Sequence, residues 1–236
     1  MKHVFLTSDV GCIKKIDGVR VVSPIDDSNG IVKQIKDCLI KEDTFVYFSS
    51  NPSCFEKTDM YAKFAFDSFK LSGLNFKNYI IIDDRFNGDL KSVVASADIV
   101  FLAGGDTKTQ MDFFERIGLR DILKDYDGII IGQSAGAMNL ANRVVCPPEK
   151  EDITTYTWNG LGIVDINIEP HFSEELFYKD DFYNNKLKEI SKIYSLYAYG
   201  DGTHIYYDGS NYSIYGDVYY LFDSKLEKIN SVNYKK

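Results

Sequence analysis

Ser134 stands in the run Ile129-Ile130-Ile131-Gly132-Gln133-Ser134-Ala135-Gly136-Ala137, where an apolar strand leads into Gly-x-Ser-x-Gly and then into helix-forming residues. Such a pattern describes a nucleophile elbow. The turn pushes the serine hydroxyl out of the pleat, and the small Gly132 and Gly136 keep it free of side-chain clashes. The first N–H groups of the following helix have no intrahelical acceptor and could stabilise an oxyanion. The alternative is a packing role, in which the glycines let a helix lie close on a sheet and Ser134 is its N-cap.

A second apolar run, Asp98-Ile99-Val100-Phe101-Leu102-Ala103, stops at Gly104-Gly105-Asp106-Thr107 and is followed by the helical stretch Lys108 to Ile117. In an open α/β sheet, turns at the carboxyl ends of two strands face one crevice. Gly105 has no side chain, so its N–H could approach a substrate and share an oxyanion hole with the N–H of Ala135. Read without Ser134, the same stretch is an ordinary turn with Asp106 as the helix N-cap. A base must come from His3, His171 or His204. His171 follows the alternating run Ile163 to Ile168 and stands after Pro170, which fixes a turn beyond a strand end. His3, at the start of the first strand, and His204, entering a later one, read as structural.

Gly-Gln-Ser-Ala-Gly-Ala after a buried strand, Gly-Gly-Asp-Thr upstream and Pro-His-Phe downstream together resemble the peptidase E family of serine peptidases, peptidase S51. That family includes aspartyl dipeptidases and cyanophycinases, and the likeness runs from the first strand to Gly202. It implies a fold like that of class I glutamine amidotransferases, with Ser134 as nucleophile, His171 as general base, and Gly105 with Ala135 as oxyanion donors. Asp106 and Gln133 are expected at the substrate, a small peptide; no cofactor and no metal are expected. Where aspartyl dipeptidases carry Gly-Gly-Asn-Thr, this chain has Asp106, whose charge should repel an acidic side chain and attract an ammonium group. The segment after the histidine offers Lys179, Lys186 and Lys188 in place of arginine, and lysine does not match bidentate carboxylate recognition. A preference for N-terminal aspartate is therefore not expected.

An acid must hold the His171 tautomer. Asp201, in the turn Tyr199-Gly200-Asp201-Gly202 after an apolar strand, is preferred, with Glu149, Glu151 and Asp152 as alternatives. Asp201 also reads as a plain Asp-Gly turn.

Between these residues, strands are expected near Val4 to Thr7, Thr44 to Ser49, Tyr79 to Asp83, Ile99 to Ala103, Ile129 to Gly132 and Ile163 to Ile168. Helical periodicity marks Gly30 to Lys41, Met60 to Leu71 and Thr109 to Ile117. This alternation builds an α/β domain, doubly wound, with a mostly parallel sheet, helices on both faces and a C-terminal antiparallel extension. Tyrosines crowd that extension, reading as core or half-buried sheet, with a binding surface or a homodimer face as the alternative. The loop Pro147 to Thr157 reads as a flap over the site.

With 236 residues and 44% hydrophobic content, the chain can bury the core of one domain spanning residues 1–236. A net charge of −8 without a Lys/Arg cluster argues against nucleic acid. The absence of an eighteen-residue apolar stretch or a leader pattern argues against a membrane and for a cytoplasmic location. Cys12, Cys38, Cys54 and Cys146 have neither disulfide-framework nor zinc spacing. The expected activity is that of a serine-type peptidase acting through an acyl-enzyme on short peptides or related amides, dipeptidase or aminopeptidase-like. An esterase on the same elbow, or a non-catalytic binding module of amidotransferase-like fold, are the alternatives; the close spacing of serine and histidine and the lack of a His-Gly-Gly loop disfavour the esterase.

Overall fold

Apolar runs cut off by glycine and aspartate turns build the central strands, and the polar-apolar periods between them build the helices. The computed structural model describes residues 1–148 and 154–232. In chain order come β1 (His3–Thr7), β2 (Ile13–Ile16), β3 (Val19–Val22), α1 (Ile31–Cys38), β4 (Thr44–Phe48), α2 (Phe55–Leu71) and β5 (Asn78–Ile82). Next are α3 (Leu90–Ser96), β6 (Ile99–Leu102), α4 (Thr107–Arg116), α5 (Leu119–Asp125), β7 (Ile129–Gln133) and α6 (Ala135–Met138). The remainder is β8 (Arg143–Cys146), β9 (Tyr156–Asn159), β10 (Ile168–Glu169), α7 (Glu174–Lys179), α8 (Asp181–Ser191) and β11 (Leu196–Tyr199). It ends in β12 (His204–Tyr207), β13 (Tyr212–Tyr215), β14 (Val218–Phe222) and β15 (Lys225–Ile229).

The main sheet has the order β13-β12-β1-β7-β6-β4-β5, parallel from β1 to β5, with β12 and β13 antiparallel at one edge. Its strands alternate between two cores, as a period of two requires. Phe5, Phe45, Tyr47, Phe101 and Ile131 face the apolar residues of α1 and α2, whereas Leu6, Phe48, Leu102 and Ile130 face those of α3, α4 and α5. Strands buried on both faces need continuous apolar runs, which is why Ile129 to Ile131 carry no polar residue. Among the described residues, no helix is long and apolar enough to cross a membrane.

The C-terminal region differs in part from expectation. β12 and β13 extend the main sheet, but β14 and β15 join β10 and β11 in a separate sheet of order β10-β11-β14-β15. The expected strand Ile163 to Ile168 is not formed; only Ile168–Glu169 is strand, and Val164 makes an isolated bridge with Ala141. Its alternating burial is satisfied without a ladder: Val164, Ile166 and Ile168 are buried, while the N–H groups of Ile163 and Val164 bond to the Leu140 carbonyl. The period read from the sequence was a burial period, and the backbone found other acceptors.

Glu169 ends β10 two residues before His171 and is buried, 7% exposed. Burial raises its carboxyl pKa from the ordinary 4.5 to about 7, opposed by the charge of Lys186. In the unfolded chain the group titrates near its ordinary value, so the folded state binds the extra proton between about 4.5 and 7. Stability should therefore fall as pH rises through that window. Glu169→Gln removes the ionisation. Urea titrations should show the variant gaining on the native protein by on the order of 3 kcal/mol between pH 4 and pH 8; parallel pH profiles for the two would refute the assignment.

Candidate active site

The elbow turns sharply because two glycines let backbone meet backbone. A Cβ on Gly132 would collide with the backbone of Ala137, and one on Gly136 with the carbonyl of Leu102 on the neighbouring strand β6. Ser134 adopts φ 48° and ψ −110° between them. This sparsely populated conformation costs about 1–3 kcal/mol. The surrounding core offsets it easily, since each fully buried Leu, Ile or Phe contributes about 1.5–3 kcal/mol. Its main chain is pinned on both sides, with the Ser134 N–H donating to the Thr7 carbonyl at 2.9 Å and the Met138 N–H to the Ser134 carbonyl at 2.9 Å. The glycines do let α6 lie close on the sheet, but the Ser134 side chain makes no capping bond to α6.

Instead, Ser134 Oγ lies 2.9 Å from His171 Nε2, and His171 Nδ1 lies 2.8 Å from Asp201 Oδ1. Parallel pairing of β10 with β11, Glu169 opposite Ala198, sets the residues after both strands side by side. The Phe172 N–H donates to the Tyr199 carbonyl at 3.1 Å and extends that register past the turn. His171 has φ 56°, a left-handed conformation unusual for a non-glycine residue. Ser8, following β1, donates to Asp201 Oδ1 at 2.6 Å and accepts the His171 N–H at 2.8 Å. The alternative acids Glu149, Glu151 and Asp152 lie outside the described residues.

The Gly104-Gly105 turn lies against the elbow: a Cβ on Gly104 would sit 3.4 Å from Ser134 Cβ. Gly105 has φ 148°, and a Cβ there would overlap the Ser50 hydroxyl. The N–H of Ala135 opens α6 and has no intrahelical acceptor. Two fully buried amides tie the turn to the elbow helix. Gln110 Nε2 donates to the Ala103 carbonyl at 2.7 Å, and Asn139 Nδ2 donates to the Thr107 carbonyl at 2.9 Å and to Gln110 Oε1 at 3.1 Å. Trp158 of β9 reaches Asn139 Oδ1 at 3.4 Å.

Asp106 is the N-cap of α4, its Oδ1 accepting the Thr109 N–H at 2.7 Å. Beside it is a cavity of about 510 Å³ walled by Cys146, Tyr156 and Trp158. A second cavity of about 380 Å³ runs from Gly104, Gly105 and Gln133 to Tyr47, Tyr61 and Lys57. Lys57 makes no ion pair among the described residues. In contrast, Lys179 pairs with Glu175, and Lys186 and Lys188 lie over aromatic rings; none of the three lines either cavity.

Cys12, in the second cavity, is held protonated by burial, its thiol pushed up to about 12. His204 is buried with Nε2 3.1 Å from Gln34 Oε1, and burial lowers its pKa to about 4; His3 Nδ1 bonds the Tyr206 hydroxyl at 2.6 Å. Neither reaches the elbow. Among the described residues, no three His, Cys, Asp or Glu side chains gather as metal ligands.

Ser8, Gln110, Asn139 and Lys57 escaped the sequence reading. For Gln110 and Asn139 a signal existed, since each is a polar residue on a helix face or end otherwise occupied by core residues. Ser8 and Lys57 carry no local signal.

The chain matches the model of peptidase family S51 over residues 23–215. No curated protein sequence matches it. Among solved structures it resembles one assigned to peptidase E of Listeria monocytogenes EGD-e, with a TM-score of 0.63 and 17% identity over 91% of this chain and 98% of that one. It also resembles a peptidase from an acI-B1 Actinobacterium, with a TM-score of 0.68 and 16% identity over 98% and 95% of the two chains. At such identities the likeness of structures speaks for the fold alone. The family match covers most of the chain, and this protein belongs to peptidase family S51.

Proposed function

We propose that this protein is a serine-type peptidase that hydrolyses short peptides or related amides through an acyl-enzyme on Ser134. The observation carrying this reading is the 2.9 Å contact of His171 Nε2 with a serine oxygen that the elbow holds out of its own helix. Ser134 Oγ attacks the carbonyl carbon while its proton passes to His171 Nε2, and the carbonyl oxygen becomes an oxyanion facing the N–H groups of Gly105 and Ala135. The C–N bond then breaks, His171 delivers its proton to the leaving amine, and water repeats the sequence to release the acid. Asp201 accepts the Nδ1–H and stabilises the imidazolium.

Asp106 and Gln133 each line one of two cavities that share Gly105, and this suits a short substrate laid across the turn. Asp9 and Lys57 share one cavity and offset each other there, whereas the carboxylate of Asp106 beside the oxyanion turn favours a free ammonium, hence dipeptidase or aminopeptidase-like action.

Ser134→Ala should abolish turnover and fluorophosphonate labelling while leaving the thermal transition in place. His171→Ala should cost nearly as much, and the double variant no more than either single one. Retained turnover in Ser134→Ala would overturn the nucleophile, and a native enzyme that neither labels nor turns over would point to a binding module.

For specificity, neutral and basic N-terminal residues should be cleaved at least as well as aspartate. The check is kcat/KM on aspartyl, alanyl, leucyl and lysyl dipeptides at low salt, where charge effects are least screened. Asp106→Asn keeps an N-cap residue and removes one charge, so it should raise aspartyl cleavage relative to lysyl. A strong aspartyl preference in the native enzyme would contradict the expectation and turn attention to Lys57.

A further inference from the structure

The base and acid of the site are both open to water, with His171 and Asp201 side chains 51% and 60% exposed. An exposed pair of this kind holds together by about 0–1 kcal/mol, because water competes for every donor and acceptor. By itself that contact would leave Asp201 turning freely on its Gly200-Asp201-Gly202 loop. Ser8 is different: it is fully buried, 0% exposed, at the carboxyl end of β1.

One hydroxyl has a single proton and two lone pairs. The main-chain N–H of His171 can only donate, so at 2.8 Å it takes a lone pair of Ser8 Oγ. That leaves the hydroxyl proton for Asp201 Oδ1, 2.6 Å away. His171 Nδ1 lies 3.2 Å from the same hydroxyl and 2.8 Å from the same carboxylate oxygen. With the Ser8 proton already given to Oδ1, that oxygen accepts from Nδ1–H as well, and Nε2 is left bare to take the proton of Ser134. The His171 N–H bond to Ser8 Oγ lies at the left-handed backbone of His171, φ 56°. The strand carrying Ser8 also holds the elbow, since the Thr7 carbonyl receives the Ser134 N–H.

We propose that Ser8 is a positioning residue that fixes Asp201 relative to Ser134, and with it the His171 tautomer. It acts through Asp201 and does not touch substrate. This inference rests on the reading of Ser134 and His171 as a hydrolytic pair.

The test is a double-mutant cycle on the native chain with its best dipeptide: Ser8→Ala, Asp201→Ala and the double variant, with kcat and KM measured separately. Ser8→Ala should lower kcat by about 10- to 100-fold, the loss that misplacing a reacting group by an ångström brings, and leave KM within about twofold. In the Asp201→Ala background the same substitution should cost less than about threefold, since residues acting as a unit are non-additive. Ser8→Cys keeps the size and donates weakly, covers the case in which the alanine variant does not fold, and should fall between native and Ser8→Ala. Native kcat in a folded Ser8→Ala or Ser8→Cys overturns the proposal. So do losses from Ser8→Ala and Asp201→Ala that multiply in full, because Ser8 would then act on something other than Asp201. A native chain inert to both fluorophosphonate and every dipeptide overturns the hydrolytic reading and this one with it, whereas an active native chain indifferent to Ser8 overturns this one alone.

Discussion

The approach of α6 to β6, backbone against backbone at Gly136 and Leu102, is the contact on which the rest of the site depends. A side chain at Gly136 would lift the helix from the sheet, and Ser134 could then relax from φ 48° toward an ordinary helical start. Its hydroxyl would be free to cap the helix and would leave His171. The strain is stored locally and offset by the two apolar cores that clamp β7 from both faces.

Ser134 and the two side chains linked to it come from different layers. β7 places Ser134 in the main sheet, whereas His171 and Asp201 follow β10 and β11 of the smaller sheet. Two buried connections join the layers at the site. The Tyr199 hydroxyl, on a side chain fully buried under β1, donates to the Leu6 carbonyl at 3.0 Å, and two residues further on Ser8 takes hold of both His171 and Asp201. Exposed groups that would be weak partners in water are thus held by anchors that water does not reach. The amides of Gln110 and Asn139 do the same for the Gly104-Gly105 turn, each bonded within a fully packed interior.

Much of this was legible in the sequence because local chemistry and long-range geometry agree there. Glycines at 132 and 136 around a serine, after three isoleucines, leave few other conformations, and parallel strands necessarily bring their carboxyl ends to one crevice. The distances among Ser134, His171 and Asp201 follow from where their strands end. What was not legible depends on contacts between distant elements. The Ile163 to Ile168 run has the period of a strand but lies along Leu140 and Ala141 as an irregular segment, since buried alternation fixes which side chains point inward and not where the N–H groups bond. β14 pairs with β11, and β15 with β14, in preference to the main-sheet edge, a choice of partner that no local pattern encodes. Asp106 caps α4, as its place after the Gly-Gly turn suggests, and also lines a cavity beside that turn. Lys57 enters the second cavity from α2, far along the chain from the motifs.

A nucleophilic Ser134 forms a covalent adduct whose oxygen the N–H groups of Gly105 and Ala135 should hold. A crystal structure of the protein treated with a small alkyl fluorophosphonate measures this directly. Phosphorus should be bonded to Ser134 Oγ, with the phosphoryl oxygen within about 2.7–3.1 Å of both nitrogens and His171 Nε2 on the opposite side facing the leaving-group position. Phosphorus on another residue, or a phosphoryl oxygen turned away from Gly105 and Ala135, would contradict it.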